Sequence, residues 1–237
     1  MIYNGIDLGQ YFKILRIDKN IMPDLDFNFS DLAGKQGLLL KSHKLGARKV
    51  KIKFELKDTP QNNLEEQYLM LADLLHQVEP KPLIFKTEPY VCYYAILTNI
   101  SDIERIGHFA IMEIEFICPK PFKYSIDKTE IKDISGKTII NQGSWETTGQ
   151  IIVEIKSSVA HLKVTLQNTG EYIYLEDNFK ANDIVKINLE DEYVKKNGNL
   201  IMDKLYFESD FFDIPIGEFK ITLSSGIGTL EFRERWL

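Results

Sequence analysis

The chain has 237 residues, 44% of them hydrophobic and 27% charged, enough to bury the core of one large β domain or of two ordinary ones. The net charge is −6, and the first 124 residues hold 16 basic and 16 acidic side chains, so all the excess acidity lies in the second half. That balance argues against nucleic acid as the second half's main partner, and two cysteines are too few for a disulfide framework.

The opening "MIYNGIDLGQYFKILR" lacks the basic start, long apolar stretch and cleavage site of a secretion signal, and no apolar run reaches membrane-spanning length. The expectation is a chain made and left in a cytoplasm unless something larger carries it out. Further on, "NFSDLAGKQGLLLKSHKLGARK" is punctuated by Gly and Lys around Leu38, Leu39 and Leu40, which predicts a protruding loop or hairpin. Three leucines in a row outside any core period need a partner surface.

Strict alternation from Lys49 to Leu56 predicts a strand with Val50, Ile52, Phe54 and Leu56 on its buried face and Lys49, Lys51, Lys53 and Glu55 outside. Between Lys41 and Lys57 there are seven Lys/Arg and one acid. The stripe reads as a phosphate-binding surface, as a charged subunit interface, or, the preferred reading, as lysines discouraging stray edge pairing. Next, Leu64, Tyr68, Leu71, Ala72 and Leu75 recur at helical spacing, with Thr59 as N-cap and Pro60 at the first helical position. It is the single strong helix signal.

Strand-like runs follow at about 83 to 86, 90 to 98 and 108 to 118, the last ending in "FICPKPFKY". Pro119 and Pro121 have no amide proton to give a sheet, so they stop the strand and stiffen the exit. Cys118 has no basic or helix-terminal setting that would activate it, and with Cys92 it reads as a reduced core thiol. From residue 126 the pattern is uniform: "GQIIVEIKS", "AHLKVTLQN", "EYIYLED", "DIVKINLE", "LIMDKLYFE", "GEFKITLSS" and "GTLEFRERW" predict a sandwich or jelly roll, with a tight turn at Asn197-Gly198.

Chemistry is sparse. His43, His76, His108 and His161 are scattered without companions at ligand or catalytic spacing. "SSGIGTLEF" is followed by a strand pattern and not a helix, so it reads as a turn and not a phosphate loop. Trp145, Tyr172, Tyr174, Tyr193, Tyr206, Phe211, Phe212 and Trp236 alternate with other apolar residues and are counted mostly as core, with a sugar-stacking platform as the alternative. No catalytic residue, metal ligand or cofactor is assigned.

Taken in order, "YNGIDLGQYFKILRI", "IMPDLDF", "GARKVKIKFEL", "EPKPLIF", "YYAILTNISDIERI", "IEFICPKPFKY", "NTGEYIYLED", "KKNGN", "ESDFFDIPIGEFKITL" and "LEFRERWL" resemble the distal tail (Dit) proteins of siphophages and prophages of Gram-positive bacteria. The resemblance implies a mainly β fold in two domains. Residues 1–122 would form a ring-forming, β-barrel-like domain with one helix and a projecting belt hairpin, and residues 123–237 a galectin-like or jelly-roll β-sandwich.

It further implies a non-enzymatic hexameric ring in the virion, joining the tail-tube protein to the tail-associated tip protein and supporting receptor-binding or baseplate proteins. DNA would be cargo passing through, and no membrane is involved. Residues 30–47 would be the arm to the next subunit, with Leu38, Leu39, Leu40 and His43 at the contact and Lys49, Lys51 and Lys53 on a charged ring face. Cys118, Pro119, Pro121, Phe122 and Tyr124 mark the domain junction. A galactoside site would need Asn and Arg beside His161, and neither is there. The alternative function is a host-recognition module binding carbohydrate through the sandwich.

Overall fold

The computed structural model of the chain describes residues 1–58 and 63–237. It is mainly β, and its residues fall into two compact units, Met1–Lys123 with the terminal Leu237, and Tyr124–Trp236.

The first unit is built on antiparallel strands in the order Ile6–Asp7, Ile2–Tyr3, Lys81–Ile84, Val91–Ile100, Phe109–Cys118, Arg48–Lys57, Lys13–Lys19. Alternation explains its core. Val50, Ile52, Phe54 and Leu56 are buried, as are Ala110, Met112, Ile114 and Phe116 on the facing strand, while the intervening residues face out.

One α-helix, Leu64–Leu75, is present among the described residues. Asn63 caps it, accepting from the Glu66 amide at 2.9 Å; Thr59 and Pro60, expected at its start, lie outside the described residues. Leu64, Gln67, Leu71 and Leu75 are its buried positions, Tyr68 is partly buried, and Gln67 Nε2 donates to the Lys57 carbonyl. Ala72, expected on this face, is exposed: eight residues after Leu64 the helix has turned about 80° too far.

The second unit is a sandwich of two antiparallel sheets. One runs Thr129–Lys132, Ile227–Phe232, Gly149–Glu154, Ile184–Asn188, Tyr193–Lys196, Asn199–Leu200; the other runs Thr138–Asn141, Gly217–Leu223, Val159–Leu166, Tyr172–Phe179. Ile151, Val153, Leu162, Val164, Leu175 and Leu230 fill the space between them at 0% exposure. Asn197 and Gly198 both take positive φ, 49° and 85°, as a tight hairpin turn with right-handed twist requires.

"SSGIGTLEF" is the turn that carries the chain from one sheet to the other, with Gly226 at φ 84°. One expected strand is different: "LIMDKLYFE" gives the short strand Asn199–Leu200 and then a 3-10 turn, Met202–Lys204. Leu205 makes a single bridge to Leu175, so the segment follows a sheet edge and does not extend the sheet.

Candidate functional site

Leu25–Asp31 and Leu38–Leu45 pair with each other and, among the described residues, with no other strand, forming a separate two-stranded ribbon. Gly34 and Gly37, with φ of 82° and 92°, carry the chain through its tip. At its base Gly46 N donates to Asp24 O at 2.7 Å and Asp24 N to Ala47 O at 3.3 Å.

The register sorts the side chains. Phe27 faces His43, Asn28 faces Ser42, and a bulge at Lys41 then sets Phe29 against Leu40, Ser30 against Leu39 and Asp31 against Leu38. Directly opposed residues point to the same side. Leu25, Phe27, Phe29, Leu38, Leu40, His43 and Leu45 therefore share one face, with Asp31 at its tip end opposite Leu38, while Asp26, Asn28, Ser30, Leu39, Ser42 and Lys44 take the other.

Ring contacts agree, with Phe27 stacked on Phe29 at 5.8 Å between centroids and on His43 at 6.3 Å. On the polar face Lys44 meets Asp26 at 3.7 Å. The apolar face is open: Phe27 and Phe29 are about half exposed and Leu38 is 66% exposed. Of the four hairpin residues expected at a contact, the structure brings Leu38, Leu40 and His43 to one face and turns Leu39 away. Leu25, Phe27 and Phe29 had no place in that expectation; the bulge that brings Leu38 and Leu40 to their face is one that no periodicity reveals.

The ribbon is tied to the unit by a buried arginine. Arg48 is 1% exposed; its Nη1 donates to Asn20 O at 2.5 Å and Ile21 O at 3.1 Å, and its Nε to Pro121 O at 3.1 Å. The guanidinium lies over the Tyr93 ring, 5.8 Å from its centroid. Nearby, Glu88 accepts from Lys19 at 2.9 Å and lies 3.6 Å from Lys123. Burial pushes the Glu88 carboxyl up, but the Lys19 hydrogen bond and the charge of Lys123 outweigh it, and the group stays below the usual carboxylate range. Burial, followed by the Glu88 charge, holds the Tyr93 hydroxyl well above a free phenol. Arg48 sits at a position whose alternation partners are all apolar, so the pattern marks it as core without saying why a charge belongs there.

Cys118 is the register partner of Arg48, fully buried, with its thiol pushed up to about 12 by burial. It ends its strand; Pro119 is exposed, Pro121 buried, and Phe122 and Tyr124 are each half-buried. Cys92 and Cys118 are both buried and are not joined in a disulfide.

Lys49, Lys51 and Lys53 face outward as expected, but their strand is not an edge: it pairs on both sides. Edge protection is therefore not their role. Lys51 lies 3.3 Å from Glu115 and 3.9 Å from Glu113, Lys49 lies 3.7 Å from Asp24, and Lys53 is the register partner of Glu113. Carboxylates from the neighbouring strand Phe109–Cys118 and from Asp24 divide the stripe, which removes the uniform positive field that a phosphate backbone would need. Among the described residues, no three His, Cys, Asp or Glu side chains gather as a metal would require, and no helix is long and apolar enough to cross a membrane.

Residues 6–118 match the sequence model of the phage tail protein RIFT-related domain, and residues 142–236 that of the siphovirus-type tail component C-terminal domain. The chain belongs to the siphophage distal tail protein family. It is similar over its whole length to the distal tail protein of Bacillus phage SPP1, 22% identical and covering 95% of that protein.

The fold is that of the distal tail proteins. The SPP1 Dit crystal structure, described as a paradigm of the hub adsorption apparatus in phages infecting Gram-positive bacteria, superposes with a TM-score of 0.88 at 21% identity, over 100% of this chain and 98% of that one. A chain of the phage P2 baseplate, in its activated conformation with Ca, gives 0.52 at 14% identity over 94% and 90%. As a distal tail protein the chain is a structural component of the phage tail, and so of the virion.

Proposed function

We propose that the chain is a non-enzymatic hub: a hexameric ring that joins the tail tube to the tail tip and supports the adsorption proteins around it. The observation that carries this is the ribbon Leu25–Leu45, which keeps a contiguous apolar face open to solvent. A two-stranded ribbon is marginal in water unless something covers its apolar side.

A second copy of the chain is the occupant we assign. The face of one subunit docks on a different surface of the next, and such head-to-tail contacts close into a ring when the rotation permits. In this reading Leu38, Leu40 and His43 lie in the contact with Phe27 and Phe29, and Leu39 faces away from it. Lys49, Lys51 and Lys53 belong to a charged, internally compensated ring surface. Residues 1–122 form the ring domain and 123–237 the sandwich domain, with Cys118 to Tyr124 joining them in sequence.

The partners are other copies of the chain, the tail-tube protein, the tail-associated tip protein and baseplate or receptor-binding proteins. DNA passes through the ring without being bound by sequence, and assembly takes place in the host cytoplasm. Negative-stain electron microscopy of the full-length protein tests the reading: closed annuli are expected, and a uniform field of single protomers at micromolar concentration contradicts it.

A further inference from the structure

The edge strand Tyr172–Phe179 turns Ile173 and Leu175 into the sandwich core, so Tyr172 and Tyr174, which alternate with them, project outward. These two tyrosines were expected to belong to the core; of the same aromatic set, Phe212 does and Phe211 packs against it. On the adjoining strand His161 and Lys163 face the same way. The His161 ring stacks on Tyr174 at 5.5 Å, and Lys163 Nζ sits 3.9 Å from the Tyr172 ring centroid.

The segment from Leu205 to Asp210 is laid along the free side of that strand. Tyr206 N donates to Tyr174 O at 2.9 Å, Asp210 N to Tyr172 O at 3.0 Å, and Tyr174 N to Ser209 Oγ at 2.9 Å, while Ser209 N closes the turn on Tyr206 O at 2.9 Å. The clamp holds Tyr206 edge-on to Tyr174 at 5.7 Å and Phe207 against Tyr206 at 4.8 Å. Phe207 is nevertheless 83% exposed. A large ring carried on a backbone fixed by hydrogen bonds has less conformational freedom to lose on binding than one on an untethered loop.

The chemistry around the rings selects the ligand. Tyr172 donates its hydroxyl to Glu208 Oε2 at 3.4 Å, and the Lys163 ammonium lies beside the same ring, so a carboxylate and an ammonium stand among the aromatic groups. The core of a protein-protein contact is depleted in such charges. A pyranose matches both features, with a C–H face that seats on a ring and hydroxyls that reach a carboxylate and an ammonium.

We propose that Tyr206, Phe207, Lys163 and Glu208 form a pyranose-binding platform for the polysaccharide of the host wall, Phe207 and Tyr206 stacking on sugar rings and Lys163 and Glu208 holding hydroxyls. The wall as source of the sugar rests on the tail-hub reading; the platform itself does not.

Saturation-transfer NMR on the full-length protein, with a panel of protein-free Gram-positive wall polysaccharides, tests it. Transfer to pyranose protons of at least one polysaccharide is expected, falling at least tenfold in Phe207→Ala and in Lys163→Ala, with the melting temperature unchanged. No transfer to any member, or equal transfer in both variants, overturns the proposal. Capture of a purified tail protein that is lost in Phe207→Ala without any saccharide signal also overturns it, by assigning the face to a protein. Light scattering on the same samples separates the outcomes, since a platform that fails in a protein still sizing as a ring leaves the hub reading standing.

Discussion

Phe29 pairs with Leu40, and not with Lys41, because the ribbon carries a bulge at that point. One residue of slip exchanges the two faces of a strand, so the bulge converts a mixed sequence into a ribbon with one apolar side. If that side is the subunit contact, Phe27→Ser with Phe29→Ser removes about 2 kcal/mol of apolar burial per ring and disperses the oligomer. Leu39→Ser, on the opposite side, leaves it assembled. Deleting residues 34–40 has the effect of the double variant while both units keep their circular-dichroism signal. Sizing the three variants side by side checks the assignment.

Arg48 holds three main-chain carbonyls, two just before the ribbon and one just after Cys118. Arg48→Met leaves all three without that donor and is expected to cost about 3 kcal/mol, since breaking charged hydrogen bonds in a buried site is expensive. Lysine at this position cannot span both sides, so Arg48→Lys recovers part of the loss. Chemical denaturation of the two variants gives the comparison.

Cys118 is buried and its thiol lies at about 12, so at pH 8 about one part in ten thousand is the reactive thiolate. Below that value the thiolate fraction in the folded protein rises tenfold per pH unit, while labelling also requires the buried thiol to be exposed. A thiol reagent at pH 8 is expected to leave Cys118 unmodified in the native protein and to label it at once in denaturant. Cys118→Ala is expected to assemble normally, at a stability cost of about 1 kcal/mol.

Gly226 turns the chain between the two sheets of the sandwich at φ 84°, and a Cβ there would lie 2.7 Å from Glu154 O. Gly226→Ala is therefore strained in its backbone and by contact, with an expected loss of about 2 kcal/mol or more. Gly198→Ala, in open space at a similar φ, costs about 1 kcal/mol. The two melting temperatures should fall in that order.

Alternation made Val50 to Leu56 legible as a buried strand face before any coordinates, because a period of two survives whatever the strand pairs with. The sandwich was legible for the same reason, down to the turn at Asn197-Gly198. What periodicity cannot carry is pairing. That the lysine strand is internal and that Lys41 is bulged out both depend on which strand lies alongside. Arg48 was hidden differently: its burial rests on carbonyls from residues 20, 21 and 121, far apart in sequence.

Multi-angle light scattering on the full-length protein across a concentration series tests the hub most directly. A species of six times the 27.5 kDa chain mass, lost when Phe27 and Phe29 become serine and kept when Leu39 does, is the predicted result. A strict monomer at the highest concentration, or a hexamer indifferent to Phe27 and Phe29, contradicts it.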